Sequence, residues 1–439
     1  MLFWAAVISC LACIFLLLIS AAGGILTTLM LKPVIDTAWN NYFAGTNLLR
    51  IIGVVVPLIV FPRIIMTHGR NVIKWPLAGV GIFYFFANVL GIMGLIASGN
   101  FAASTSIFFR VLNGTLGFFM LQSYFSDKDS FRRLLLCMLI AGLFPVAVGI
   151  FQASTGIVWQ QRETVGLSRN VGFYHDAFNI RAYGYQTLTA ILLIGAYYCR
   201  QRRVLKMTVL FAYGLCCCFV IFKSYSKAAV VIFIIWAILW SLFNRKMLWM
   251  VMGLILLVAV NFGTGNRIVS EVETLFSKEI GAYEGTVDDR YVLAGRTILW
   301  TQYWEEWRKM NMFAKIFGSG LNPPVHNEYL RLLYCNGIVG VVVYIGLLGV
   351  IGFQVIRNVF IRRTPLTIMG MMIYSMWLVD TIGLHPGLYP SYQWYVWGFI
   401  TLALRGVNGI DTEPRRLKEP DYWKSQTAAP AAVHRWPTA

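Results

Sequence analysis

Residues 3–31 read FWAAVISCLACIFLLLISAAGGILTTLML, twenty-nine positions without a charged side chain. A helix crosses a bilayer with about 20 apolar residues, so this stretch is long enough to cross with tilt or to lie partly in the interface. Eleven further segments meet the same criterion, near 47–66, 75–97, 101–123, 134–153, 183–199, 205–222, 228–244, 247–262, 327–356, 365–384 and 388–405. The composition agrees: 58% of residues are hydrophobic and 13% charged, where soluble proteins carry about 25% charged residues. No single soluble core hides that much apolar surface. The expected fold class is all-α, a polytopic membrane domain over residues 1–406 with about twelve transmembrane helices. A cytosolic enzyme, a secreted disulfide scaffold and a nucleic-acid binder are excluded. The first positive charge is Lys32, so the N-terminal stretch lacks the charged start of a cleavable signal and is expected to stay. Eight cysteines lie in or beside apolar segments, and Cys10-x-x-Cys13 has no strand–helix setting for redox chemistry.

Lysines and arginines orient the chain. Arg63, Arg70 and Lys74; Lys128, Arg132 and Arg133; Arg200, Arg202, Arg203 and Lys206; Arg245 and Lys246; Arg357, Arg362 and Arg363; and the tail from Arg405 all fall in alternate connections. That side is expected to be cytoplasmic, with both termini on it. Most of the net charge of +18 is therefore a topology signal. The tail 407–439, rich in Pro, Ala and charge, is expected to be disordered. The other cations gather in connections 154–182, 223–227 and 263–323. The last, between the ninth and tenth spans, is long enough to read as functional.

That long loop ends Gly318-Ser319-Gly320-Leu321-Asn322-Pro323-Pro324-Val325-His326-Asn327-Glu328-Tyr329-Leu330. The prolines break the chain and a helix is expected to begin at about His326. The positive end of a helix disfavours imidazolium, keeping the ring a base, and attracts phosphate. The plainer role is a capping or interfacial histidine. Trp300, Tyr303, Trp304 and Trp307 recur on one helical face, as an interfacial belt or as a platform for sugar rings. Arg296 stands one turn from Trp300. In the fifth connection, Arg169 and Arg181 carry forks suited to diphosphates. Lys227 is basic on a side where bases are avoided. Arg110, inside the fourth span, is costly there; its structural alternative is a pairing with Asp380.

His326-Asn327-x-Tyr329-Leu330, followed by Gly337-x-x-Gly340 and preceded by Gly295-Arg296-x-x-x-Trp300 and Gly318-x-Gly320, resembles the signature region of the O-antigen ligase/polymerase superfamily. Arg169-x-x-Gly172-Phe173 and Ser226-Lys227 are similar to its earlier motifs, so the likeness covers roughly 165–355. Two departures stand out: Ser226-Lys227 has lysine where arginine is usual, and His175-Asp176 replaces an Asn/His-Pro-like step. The resemblance implies a glycosyltransferase of the bacterial inner membrane, with the loop 263–323 periplasmic. It would move a glycan from undecaprenyl diphosphate to an acceptor glycan, lipid-linked or lipid A-core. His326 would be the base, and Arg169, Arg296, Arg181 and Lys227 the diphosphate ligands; Arg110, Tyr329 and Trp300 are further candidates. The transfer would be inverting, without metal or other cofactor, since arginines do the electrostatic work and Asp288-Asp289 lacks a histidine or regular ligand spacing. Partners would be membrane lipids and other polysaccharide assembly proteins, with no nucleic acid. The loop's surface and the stretch Leu31-Lys32-Pro33-Val34-Ile35-Asp36-x-x-Trp39 favour a polymerase over a ligase. A flippase or transporter of the same lipid is the rival, predicting midplane charges and repeated halves. A structural component of an assembly explains none of the outer cations.

Overall fold

The computed structural model describes residues 1–43, 46–97, 99, 101–199, 204–244, 261, 263 and 265–410. The chain is all-α. In order come α1 (Leu2–Ile19), α2 (Ala21–Ile35), α3 (Leu48–His68), α4 (Ala78–Ala97), α5 (Phe101–Tyr124), α6 (Lys128–Thr155), α7 (Ala177–Tyr197), α8 (Val204–Lys223) and α9 (Lys227–Phe243). Then follow α10 (Arg267–Tyr283), α11 (Arg296–Lys309), α12 (Met312–Phe317), α13 (Glu328–Arg362), α14 (Pro365–Gly383) and α15 (Pro390–Arg405). Strand is confined, among the described residues, to two small hairpins, Tyr42–Phe43 with Thr46–Asn47 and Glu163–Thr164 with Leu167–Ser168. The expected ninth span, 247–262, lies outside the described residues save Asn261. So do Arg200, Arg202, Arg203, Arg245, Lys246 and the tail from 411.

Among the described residues, six helices, α1, α3, α6, α8, α13 and α14, are long and apolar enough to cross a membrane. Their outward faces are built for a hydrocarbon solvent. On α1, Trp4, Ile8, Leu11 and Phe15 form one exposed stripe, while Ala6, Cys10, Cys13 and Leu17 face inward. Helices α5, α7 and α15 are less apolar for a physical reason: they lie inside the bundle, where polar groups find protein partners. Residues 392–403 of α15 are all buried, and Thr189 of α7 meets the Tyr395 hydroxyl at 2.7 Å.

The first expected segment corrects to two helices. The chain turns at Ser20, whose side chain caps Gly23, and α2 packs back along α1. Gly24 makes this possible, since a Cβ there would lie 2.4 Å from the Leu17 Cα. Arg63, near the end of α3, donates to the carbonyls of Leu17 and Leu18. The end of α1 therefore lies beside the end of α3, and Met1 beside its start. Arg405 bonds the Gln122 carbonyl at the end of α5, at the bundle end that also holds Arg63 and His68. Among the described residues, Met1 and Arg405 therefore lie at opposite ends of the bundle.

The tenth segment is long because it is kinked. Gly337 interrupts α13 at φ 68°, ψ −171°, which frees carbonyls in the turn before it. Ser319 and Gly320 donate their N–H groups to Tyr334 and Cys335 there, each at 3.0 Å. A Cβ on Gly318 would meet the Cys335 oxygen at 2.1 Å, and one on Gly337 the Ile316 oxygen at 2.3 Å. Only glycine permits this backbone crossing, which delivers the loop 321–327 to the bundle end.

Candidate functional site

Two irregular segments build the site. The first, 169–176, is pinned by backbone and amide bonds: Asn170 donates to the Gly149 carbonyl at 2.7 Å, and Gln152 accepts from Val171 and Gly172. Asp176 then caps α7, accepting from the Phe178 N–H at 2.7 Å. The second segment precedes α13. Trp300 of α11 donates its indole N–H to the Val325 carbonyl at 2.7 Å. Asn327 caps α13 through the Leu330 N–H at 2.9 Å and reaches the Ile382 carbonyl at the end of α14.

The expected helix start at His326 shifts by two residues: the cap is Asn327 and the helix begins at Glu328. His326 stands just ahead at φ 48°, and its ring stacks on His385 with centroids 5.3 Å apart. His385 in turn lies parallel to Tyr389 at 6.3 Å, and the Tyr389 hydroxyl donates to Asp176 at 3.3 Å. Burial and the nearby Arg296 guanidinium hold His326 below the ordinary histidine value, with Asp176 opposing. Burial pushes His385 down to about 4. Both rings are therefore neutral bases near neutral pH.

Arg296 opens α11 with its guanidinium against Gly383, where an added Cβ would lie 2.9 Å from Nη1. Arg169 spends its Nε–H on the Ser224 carbonyl at 2.9 Å, leaving the outer edge of the fork. Burial depresses Arg169 to about 10, with Arg181 and Arg296 adding to this and Asp176 opposing it. Burial and Arg181 depress Arg296 likewise. Among the described residues, neither Arg169 nor Arg296 has a carboxylate within ion-pair distance. Arg169 and Arg296 thus stand in one electrostatic neighbourhood with His326, where Asp176 is the nearby carboxylate, while His385 also feels Glu328.

The other expected residues divide. Arg181 is 1% exposed and bonds Asp380 at 2.6 Å, and Tyr392 donates to the other carboxylate oxygen. Asp380 is thus the partner of Arg181, not of Arg110, and Arg181 is a buried, ion-paired residue of the core. Lys227 is held by Glu279, and Lys223 by Glu271 at 2.7 Å. The anions that explain this basic connection are side chains of α10. Tyr329 packs its ring on Tyr344 and meets the Thr381 hydroxyl at 3.2 Å, bracing the first turn of α13. Asp288 is bound to Arg290. Trp300, Thr301, Trp304, Asn327 and Leu330 line an open groove of about 300 Å³ beside His326.

Sequence reasoning missed His385, Tyr389 and the pair Glu328–Arg331. The pair is buried and bidentate, and Arg331 also holds Asn322 at 3.0 Å. The signal for His385 was its place before Pro386-Gly387, a turn between two apolar segments. No model of a known protein family matches the chain, and no functionally curated protein does either.

Proposed function

We propose that this chain is a polytopic inner-membrane glycosyltransferase that polymerises undecaprenyl-diphosphate-linked repeat units, with the His326 end of the bundle at the periplasmic face. The observation that carries this reading is the meeting of Arg169 and Arg296, both without ion-paired carboxylates, with the neutral His326. Diphosphate is a good leaving group when fixed cations meet the charge that grows on it. An acceptor hydroxyl needs a base within hydrogen-bond reach. In the step, the acceptor oxygen attacks the anomeric carbon and the bond from that carbon to the phosphate oxygen breaks. The electron pair leaves on the diphosphate between Arg169 and Arg296, and the hydroxyl proton passes to His326. One displacement inverts the anomeric centre. The cations cluster at one end rather than at the midplane, which weighs against a transporter.

Deleting the gene in its own host and identifying the lipid-linked glycan that accumulates tests the reading. Single repeat units on the carrier, with loss of high-mass polysaccharide, are expected. Long polymer still attached to the carrier, with bare lipid A-core, would make the chain a ligase. An unchanged glycan profile would remove the proposal.

A further inference from the structure

A second pair of cations, Arg50 and Arg110, stands at the same end of the bundle as Tyr389. Helices α3 and α5 run in the same direction and are tied where Asn113 donates to the Gly53 carbonyl at 2.5 Å. One turn nearer the His326 end, Arg110 stands on α5 and Arg50 on α3, so the two side chains come level. Helix α5 also runs in register with α15: Gly114 faces the Gln393 amide, and Gly117 the Gln393 carbonyl and Trp397. One turn further brings Arg110 level with Tyr389. Arg110 is within electrostatic reach of Arg331 first, then Arg50 and Tyr389. Arg110 sits at the height where α3 and α15 begin.

Tyr389 lies between the two pairs: it is within electrostatic reach of Arg110, and its hydroxyl donates to Asp176, the neighbour of Arg169. Arg331 is neutralised by Glu328. Among the described residues, Arg50 and Arg110 have neither an ion pair nor a side-chain hydrogen bond; Arg50 rests over the Tyr42 ring at 5.9 Å. Two neighbouring guanidiniums without an acid repel, and an anion between them reverses the sign.

We propose that Arg50 and Arg110 bind the phosphate of a second lipid-linked glycan, the acceptor, across Tyr389 from the donor diphosphate. This rests on the transfer reading above and deepens it, because a polymerase must hold two carriers at once. The shared chemistry is a phosphate on a membrane lipid, and the test separates carrier from bulk phospholipid.

The full chain in discs of zwitterionic lipid is titrated with labelled undecaprenyl diphosphate, and bound equivalents are counted. Two equivalents are expected, falling to one in Arg50→Gln/Arg110→Gln and to the other one in Arg169→Gln/Arg296→Gln. Arg50→Gln alone, at an exposed position, guards against a folding defect and should weaken the second equivalent about tenfold or more. A single equivalent in the unaltered chain, or two in Arg50→Gln/Arg110→Gln, overturns the proposal. So does displacement of the second equivalent by phosphatidylglycerol as readily as by carrier. Two bound equivalents without transfer from any lipid-linked donor would uphold the second site and remove the transfer reading.

Discussion

His326 holds a left-handed backbone conformation, φ 48°, that costs a non-glycine residue about 1–3 kcal/mol. The cost is met by neighbours that fix the ring and loop: His385 beneath it, Trp300 on the preceding carbonyl, Asn327 after it. A histidine held this way is worth more as a base than as a cap, since Asn327 already caps the helix. His326→Ala should therefore leave insertion and yield unchanged and lower turnover by about 10²–10⁴; near-normal product at equal protein level would return the residue to a structural role. The pH profile follows from the shifts. The base must be neutral, so activity is lost as pH falls through the depressed His326 value, below that of a free histidine. An acid limb above the free-histidine value would contradict the assignment. Arg296→Lys, which keeps the charge and loses the fork, should still cost about 10²–10³ in turnover, measured with a defined lipid-linked donor.

At the scale of elements, α10 is docked by charge. Glu271 and Glu279 lie eight residues apart on one face, with Leu275 buried between them, and each grips one lysine of the turn between α8 and α9. Burial pushes both carboxyls up, but the hydrogen bonds from Lys223 and Lys227 outweigh it and leave them below their ordinary value. For a depressed carboxyl the contribution to docking is present above its unfolded value and lost as pH falls through the folded one. Lys227→Glu should free the loop to protease in sealed vesicles, and Lys227→Glu with Glu279→Lys should restore protection. Equal cleavage of both variants would show that the pair does not hold the loop. The kink in α13 is stricter. Gly337→Ala adds left-handed strain and a Cβ 2.3 Å from the Ile316 oxygen, so the folded yield should collapse, read by size exclusion after extraction.

For the whole molecule, the turn at Ser20 changes the parity of the crossings. With α1 and α2 packed as a hairpin, Met1 belongs to the end that carries Asp288 and His326, opposite Lys128. In a background with the eight cysteines replaced, Leu2→Cys and Asp288→Cys should react with an impermeant thiol reagent from the same side, and Lys128→Cys only from the other. Labelling of Leu2→Cys together with Lys128→Cys would restore the single long first span.

The sequence by itself determined the helical class, the apolar runs from which the six long apolar helices form and the loops where cations collect. Those properties are local: a run of apolar residues, a glycine spacing or a proline pair acts on its own neighbourhood. It also marked His326, Arg169 and Arg296, because their residue types state their chemistry. The tertiary structure decided which cations were already neutralised. Arg181 and Asp380, or Lys227 and Glu279, stand far apart in the chain, and no pattern in a single sequence pairs them. It decided as well that His385 lies under His326 and that Arg50 comes level with Arg110, since each juxtaposition depends on how separate helices are set against one another.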